Sequence, residues 1–192
     1  MDIRINGEFV KGIESWASLS LMKSSENIRY YISPNGTILS QSDINKGAEY
    51  VCDTLIKGIP RPSDQKINFS VFFQDYIPYI PSFKVNLKLV FGTGLPFGAP
   101  YSERYKQTLR MSPYRRVDIG FSKQLISETT SFKSKNPLGY IKNCWISLEI
   151  FNLLGISNVS SYMWITDIYN IQYAVPNYLT PRQINLKLVA EF

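Results

Sequence analysis

The chain has 192 residues, of which 44% are apolar, 14% aromatic and 19% charged, with a formal net charge of +6 and no histidine. Its length suits one domain of ordinary size, and no stretch approaches the roughly 18 consecutive apolar residues of a membrane helix, although that test does not detect membrane strands. The missing histidine excludes His-based metal sites and the Ser-His and Cys-His nucleophile pairs. The Lys and Arg residues are scattered, with only Arg115-Arg116 and Lys133/Lys135 close together, so the positive charge does not form a nucleic-acid footprint.

The first element expected is a strand from Asp2 to Phe9, in which Ile3, Ile5 and Phe9 alternate with Arg4, Asn6 and Glu8. Its Asn6-Gly7 pair is also the signature of a two-residue hairpin turn, so residues 2–9 are read either as a strand or as half a hairpin. From Glu14 to Ser24, Ala17, Leu19 and Leu21 oppose Ser18, Ser20 and Ser24. From Lys66 to Gln74, Ile67, Phe69, Val71 and Phe73 share a face, with Phe72 intruding on the polar side. From Ser82 to Phe91, Phe83, Val85, Leu87, Leu89 and Phe91 oppose Lys84, Asn86 and Lys88. Tyr114 to Leu125 sets Val117, Ile119 and Phe121 against Arg116, Asp118 and Ser122, and Asn143 to Leu153 sets Cys144, Ile146, Leu148 and Ile150 against Ser147 and Glu149. The last strand, Arg182 to Phe192, sets Ile184, Leu186, Leu188, Ala190 and Phe192 against Gln183, Asn185, Lys187 and Glu191, with Val189 the exception. A period of two with one apolar face is a half-buried strand, and the expected fold class is an all-β, antiparallel up-and-down meander of about seven strands.

These strands are long. Soluble strands centre on about five or six residues, whereas a tilted membrane-spanning strand takes about nine to eleven. The connections alternate as well. Segments 9–13 and 77–81 are short, 25–65, 92–113 and 154–181 are long, and 126–142 is intermediate. Long loops on one side and short turns on the other are the habit of outer-membrane barrels. Within the first long connection, Asn35-Gly36 signals a hairpin. A soluble all-β binding module, lectin-like, is the competing reading, because its core would use the same apolar faces.

The segments R-R-V-D-I-G-F-S-K (115–123), W-I-S-L-E-I-F-N-L-L (145–154) and Y-A-V-P-N-Y-L-T-P-R-Q-I-N-L-K-L-V-A-E-F (173–192) together resemble the C-terminal end of a TonB-dependent outer-membrane receptor. F-V-K-G-I-E-S-W-A-S-L-S (9–20) and F-G-T-G-L-P-F-G-A-P (91–100) resemble the branch whose members carry an N-terminal carboxypeptidase-regulatory-like domain. The resemblance implies that residues 1–192 are part of a large barrel, on the order of twenty-two strands, with a plug in its lumen. It also implies location in the Gram-negative outer membrane and uptake of a scarce ligand. The implied partners are outer-membrane lipid, the rest of the barrel and plug, the TonB complex and the barrel-assembly machinery. The N-terminus lacks the pattern of a secretory signal, and an odd count of about seven strands does not make an ordinary closed barrel. The chain is therefore expected to be a C-terminal segment that does not transport alone.

No cofactor and no catalytic residue is expected, and an enzyme ranks behind both binding readings. Asp118 and Glu149 have the residue types of a glycosidase pair, but they sit among Lys and Arg on polar strand faces, where they balance charge. Gly92, Gly94 and Gly98 lack the Lys-Ser/Thr and helix of a phosphate loop and read as a loop at a strand end. Cys52, in a polar loop, and Cys144, in a strand, have no metal-type spacing and read as free thiols. The ligand-binding expectation falls on the aromatics of the last long loop, Tyr162, Trp164, Tyr169 and Tyr173, with Tyr178 nearby; the competing role is loop packing or an aromatic girdle. Leu186, Leu188 and Phe192 resemble the C-terminal signal read by the barrel-assembly machinery.

Overall fold

The structure is a computed structural model, and it describes residues 1–10, 13–39, 41–77, 79–100, 102–127 and 140–191. In chain order its strands are β1 (Asp2–Val10), β2 (Ile13–Leu21), β3 (Ser25–Ile32), β4 (Ile38–Leu39), β5 (Cys52–Pro60), β6 (Ile67–Ile77), β7 (Ile80–Gly92), β8 (Pro96–Phe97), β9 (Leu109–Arg110), β10 (Tyr114–Ile126), β11 (Asn143–Phe151), β12 (Val159–Thr166), β13 (Gln172–Tyr178) and β14 (Gln183–Glu191). One short helix, α1 (Gln41–Asn45), and a 3-10 turn (Arg104–Lys106) lie between strands.

The principal sheet has seven strands in the order β1-β2-β6-β7-β10-β11-β14, each antiparallel to its neighbour. This is an up-and-down sheet whose members are the seven strands legible in the periodicity. Among the described residues it is open, with β1 and β14 each paired on one side only. Asn6-Gly7 is not a turn: both residues lie inside β1, paired with Trp16 and Ser15. β2 stops at Leu21 rather than Ser24, because the Ser24 N–H turns to the Asp64 carboxylate. Cys52 does not sit in a loop but opens β5, exposed, while Cys144 is buried in β11; both are free thiols.

The register carries the apolar pattern across the whole sheet. Ile5, Ala17, Val71, Leu89 and Val117 form one row; Phe73, Leu87, Ile119, Ile150 and Ile184 form the next; Val85, Phe121, Leu148 and Leu186 form a third. In the central strands charge bounds this face at Arg115, opposite Phe91, at one end and at Lys123, opposite Phe83, at the other, and Asp75, opposite Val85, enters the third row. From Arg115 to Lys123 the strand rises about 27 Å, or about 21 Å at a barrel-like tilt, close to the roughly 25 Å apolar band of a membrane barrel.

The opposite face is polar. Ser18 pairs with Ser70 and Ser122 with Ser147, each hydroxyl pair at 2.8 Å, and Lys88 stands opposite Asp118. The aromatic exceptions on this face include rings that associate with one another or with a basic side chain. Phe72 stacks on Trp16 with centroids 6.2 Å apart, and Trp145 lies 4.9 Å from the Lys84 ammonium.

Nothing among the described residues covers the apolar face. On β14, Ile184, Leu186 and Leu188 are 71%, 67% and 65% exposed. Among the described residues the buried large apolar side chains reduce to Tyr31, Ile59, Ile126 and Cys144, and only the last two belong to the principal sheet. The chain exposes 13541 Å², against about 9,300 Å² for a compact monomer of its mass.

The long connections all leave from one end of the sheet. β3, β4 and β5 form a three-stranded sheet in the first, closed at Ser33–Thr37 by the turn that carries Asn35-Gly36. β8 and β9 pair in the second, and β12 and β13 form a hairpin in the third. Gly94 lets the second loop fold back on itself, because a Cβ there would run into the Met111 carbonyl oxygen. Gly94→Ala is expected to loosen this loop by about 1–3 kcal/mol, the range for overpacking. Faster proteolytic cleavage within 93–113, with the seven-stranded sheet intact by circular dichroism, is the measurement.

Candidate functional site

The three long loops fasten to one another over the end of the sheet. The main latch between the first two is Asp64, just ahead of β6. Its side chain is 3% exposed and forms an ion pair with Arg110 of β9. One carboxylate oxygen accepts from the Ser24 N–H at 2.6 Å and the other from Arg110. The other terminal nitrogen of Arg110 donates to the Asp64 carbonyl at 2.7 Å and the Gly94 carbonyl at 3.1 Å. A guanidinium with donors in a planar fork suits this task of joining a carboxylate to two carbonyls. A second tie is Arg104, which meets Glu26 at 2.9 Å and donates to the Pro60 carbonyl at 2.5 Å. Tyr30 and Tyr105 add an edge-on ring contact at 5.2 Å.

The Ser24 N–H, and after it Arg110, hold the Asp64 carboxyl below the ordinary carboxylate range, against the opposing effect of burial. A lowered folded-state pKa favours the charged form in the fold. The latch therefore contributes fully above the unfolded value of about 3.9 and is lost as pH falls through the lower folded value. Pepsin cleavage within the first two loops is expected to rise as pH drops below about 4, and hydrogen-exchange protection there, relative to the intrinsic rate, to stay level between about pH 5 and 8. In Asp64→Asn the part of the acid dependence carried by this latch should vanish, leaving that of the Glu26 and Glu103 ion pairs.

The second and third loops meet through aromatic rings. Phe97 of β8 stacks on Tyr162 of β12 with centroids 4.4 Å apart and planes 6° from parallel, and it meets Trp164 at 6.2 Å. Alternation along β12 puts Tyr162 and Trp164 on one face of the hairpin. Tyr173 lies opposite Ile165 on the other face, and Tyr169 lies in the turn. The structure thus brings together Tyr162 and Trp164 and separates them from Tyr173 and Tyr169. Tyr173 instead donates through its hydroxyl to Asp167 at 3.3 Å, and Tyr178 closes β13, exposed. Beside the Phe97 contact, a cleft of about 320 Å³ opens where the loops meet the sheet, lined by Gln65, Thr93, Leu95, Met111, Tyr114 and Ser160. Its lining is uncharged and mixed in polarity, which suits a small neutral polar ligand better than an anion.

At the base of the third loop, Asn158 exchanges two hydrogen bonds with the Arg115 backbone at 2.8 and 2.7 Å. Asp118 accepts from Arg116 at 2.7 Å and from the Asn152 N–H at 2.8 Å. Glu149 accepts from Asn185 at 3.2 Å. Asp118 thus pairs with a cation, whereas Glu149 meets a neutral amide. Among the described residues no group of three or more His, Cys, Asp or Glu gathers as a metal site.

Leu186 and Leu188 lie on the apolar face of β14, opposite Leu148 and Ile146, and Phe192 lies outside the described residues. Sequence reasoning missed Asp64, Arg110 and Phe97. Arg110 and Phe97 had no distinguishing local pattern. The sole hint for Asp64 was its place in a turn-forming Pro-Ser-Asp run (62–64). No helix among the described residues is long and apolar enough to cross a membrane, a fact that does not bear on strands. No protein-family model, no curated protein and no solved structure matches the chain.

Proposed function

We propose that the chain is a wall segment, C-terminal in its parent, of a TonB-dependent outer-membrane receptor in the branch with an N-terminal carboxypeptidase-regulatory-like domain. In this reading the apolar rows face lipid, the polar face lines a hydrated lumen, and the latched loops lie outside the cell, where they contribute to ligand capture. The observation that carries the reading is the apolar face, uncovered by any second layer among the described residues and bounded by Arg115 at one end and by Lys123 at the other. A water-facing sheet of this area would be an aggregation surface. Facing lipid, it needs no covering layer. The placement of all three long loops at one end supports the same reading. Transport is not assigned to this segment alone, because an open sheet encloses no passage.

The test is solubility and refolding. Purified without detergent, the chain is expected to aggregate or to form large oligomers through its apolar face and free edges. Added from urea to phosphatidylcholine vesicles, it should gain β-structure and float with the lipid. A monodisperse, cooperatively unfolding monomer in plain buffer would replace this reading with the soluble lectin-like binding module.

A further inference from the structure

The second and third loops are joined differently from the first two. Arg110 and Arg104 tie the first pair of loops with ion pairs and carbonyl contacts. Among the described residues no hydrogen bond or ion pair joins residues 92–113 to 154–181, and the rings of Phe97, Tyr162 and Trp164 carry the junction. All three rings are half-buried rather than enclosed. A stack of this kind is worth a factor of about two to ten beyond its buried area, so it opens far more readily than a buried ion pair.

The ring of Phe97 is also the movable partner. Its strand, β8, is two residues long and pairs with β9 at Pro96 and Phe97, and Pro96 has no N–H to donate. Arg110 grips the second loop at the Gly94 carbonyl, three residues before Phe97, so the ring can turn away while that latch stays shut. What it would leave behind is a platform. Tyr162 and Trp164 share a face of β12, and Phe97 lies flat on Tyr162 at 4.4 Å, with planes 6° apart. The cleft of about 320 Å³ borders this platform. Ser160, two residues before Tyr162 and on the same face of β12, lines it, and so does Leu95, two residues before Phe97. Gln65, Thr93 and Tyr114 add amide and hydroxyl groups, and no charged side chain is among its walls.

We propose that Phe97 is a resident stand-in for a ligand. Its ring occupies a platform of Tyr162 and Trp164 that receives an uncharged aromatic ring bearing a hydroxyl or amide group, with that group in the cleft. The present occupant sets the class of ring, since what lies flat on Tyr162 is itself a benzene ring. The cleft sets the substituent, because its amides and hydroxyls offer partners to a neutral polar group and no counter-charge to an ion. The proposal rests on the ligand-capture part of the reading above and is independent of the assignment of the apolar face to lipid.

The probe is 4-hydroxybenzamide, followed by equilibrium dialysis with the full chain refolded in phosphatidylcholine vesicles, or in plain buffer if the chain is a soluble monomer. Protein-free vesicles of equal lipid content subtract partition into the bilayer. Wild type is expected to bind, and Phe97→Ala to bind about two- to tenfold more tightly, the worth of the stack released. Phe97→Leu keeps apolar bulk but cannot stack flat; it should move in the same direction, and it decides the matter if Phe97→Ala does not fold. Adding Tyr162→Ala to either variant should abolish binding. The anion 4-hydroxybenzoate should bind at least about tenfold more weakly than the amide, because the cleft gives a carboxylate no cation. Equal or weaker binding by the Phe97 variants overturns the proposal. So does a wild type that binds nothing while Phe97→Ala binds, since the probe then only fills the space of a deleted ring. Equal binding of the benzoate overturns the assignment to an uncharged ligand. Binding by a soluble monomer defeats the wall reading alone, and vesicle entry without binding defeats the stand-in alone.

Discussion

Leu87→Arg is expected to abolish most refolding into vesicles, whereas Ser122→Arg on the same part of the sheet is expected to be tolerated. Leu87 stands in the middle apolar row between Phe73 and Ile119, midway between the rows of Arg115 and Lys123, with Asp75 in the adjacent row. In the wall reading an arginine there lies near the bilayer midplane, at a cost of about 2–4 kcal/mol. For a chain of marginal stability that is a large fraction of the total. Ser122 pairs with Lys84 and Ser147 on the polar face, where a guanidinium remains hydrated. The measurement is the folded fraction by circular dichroism after refolding into vesicles, for both variants beside wild type. Equal folded fractions for Leu87→Arg and wild type would remove the assignment of that face to lipid.

Arg110→Ala is expected to release the second loop from the first. Removing the guanidinium leaves a carboxylate, almost wholly shielded from water, with the Ser24 N–H as its remaining partner in this network. Breaking one side of a buried ion pair costs about 3–5 kcal/mol, and the low end applies because Arg110 keeps a wet edge. The two carbonyl contacts at Asp64 and Gly94 go with it. Amides of the first two loops should lose hydrogen-exchange protection while those of the seven-stranded sheet keep theirs. Asp64→Asn with Arg110→Ala should be milder than Arg110→Ala alone, since no buried charge is then left unpaired. A single mutant with protection like wild type would show that the loops are held by their ring contacts instead.

The principal sheet was legible because one physical constraint acts along its whole length. Each of its strands has an apolar and a hydrated side, so a period of two survives from Ile3 to Ala190. The small strands of the loops were not legible in the same way. β3 reads S-E-N-I-R-Y-Y-I and β12 reads V-S-S-Y-M-W-I-T, with large apolar residues at consecutive positions, and β13 contains Pro176. Asn35-Gly36 marked its turn correctly, because turn chemistry is local. The flanking strand β5 begins at Cys52, beyond an intervening helix, and that separation hid the pairing. At the candidate site, the last loop was recognised from its aromatic content. That Tyr162 and Trp164 share a face follows from their spacing, but that Tyr173 lies on the other depends on the register of β12 against β13. Phe97 and Arg110 act across long stretches of chain, and nothing in their own surroundings announces it.

The free edges of the seven-stranded sheet have a consequence of parity. β1 runs from the long-loop end toward the short-turn end, and so does β14, because an odd number of alternating strands returns to its starting direction. Joining β14 to β1 in one copy would make a parallel seam. Joining it to β1 of a second copy inserted the same way up would also make one. Parallel pairs are somewhat less stable per residue and are foreign to an otherwise antiparallel wall. Even a ring built from copies of this segment would carry such a seam at every junction. A wall that stays antiparallel all the way round is completed only by an odd number of further strands.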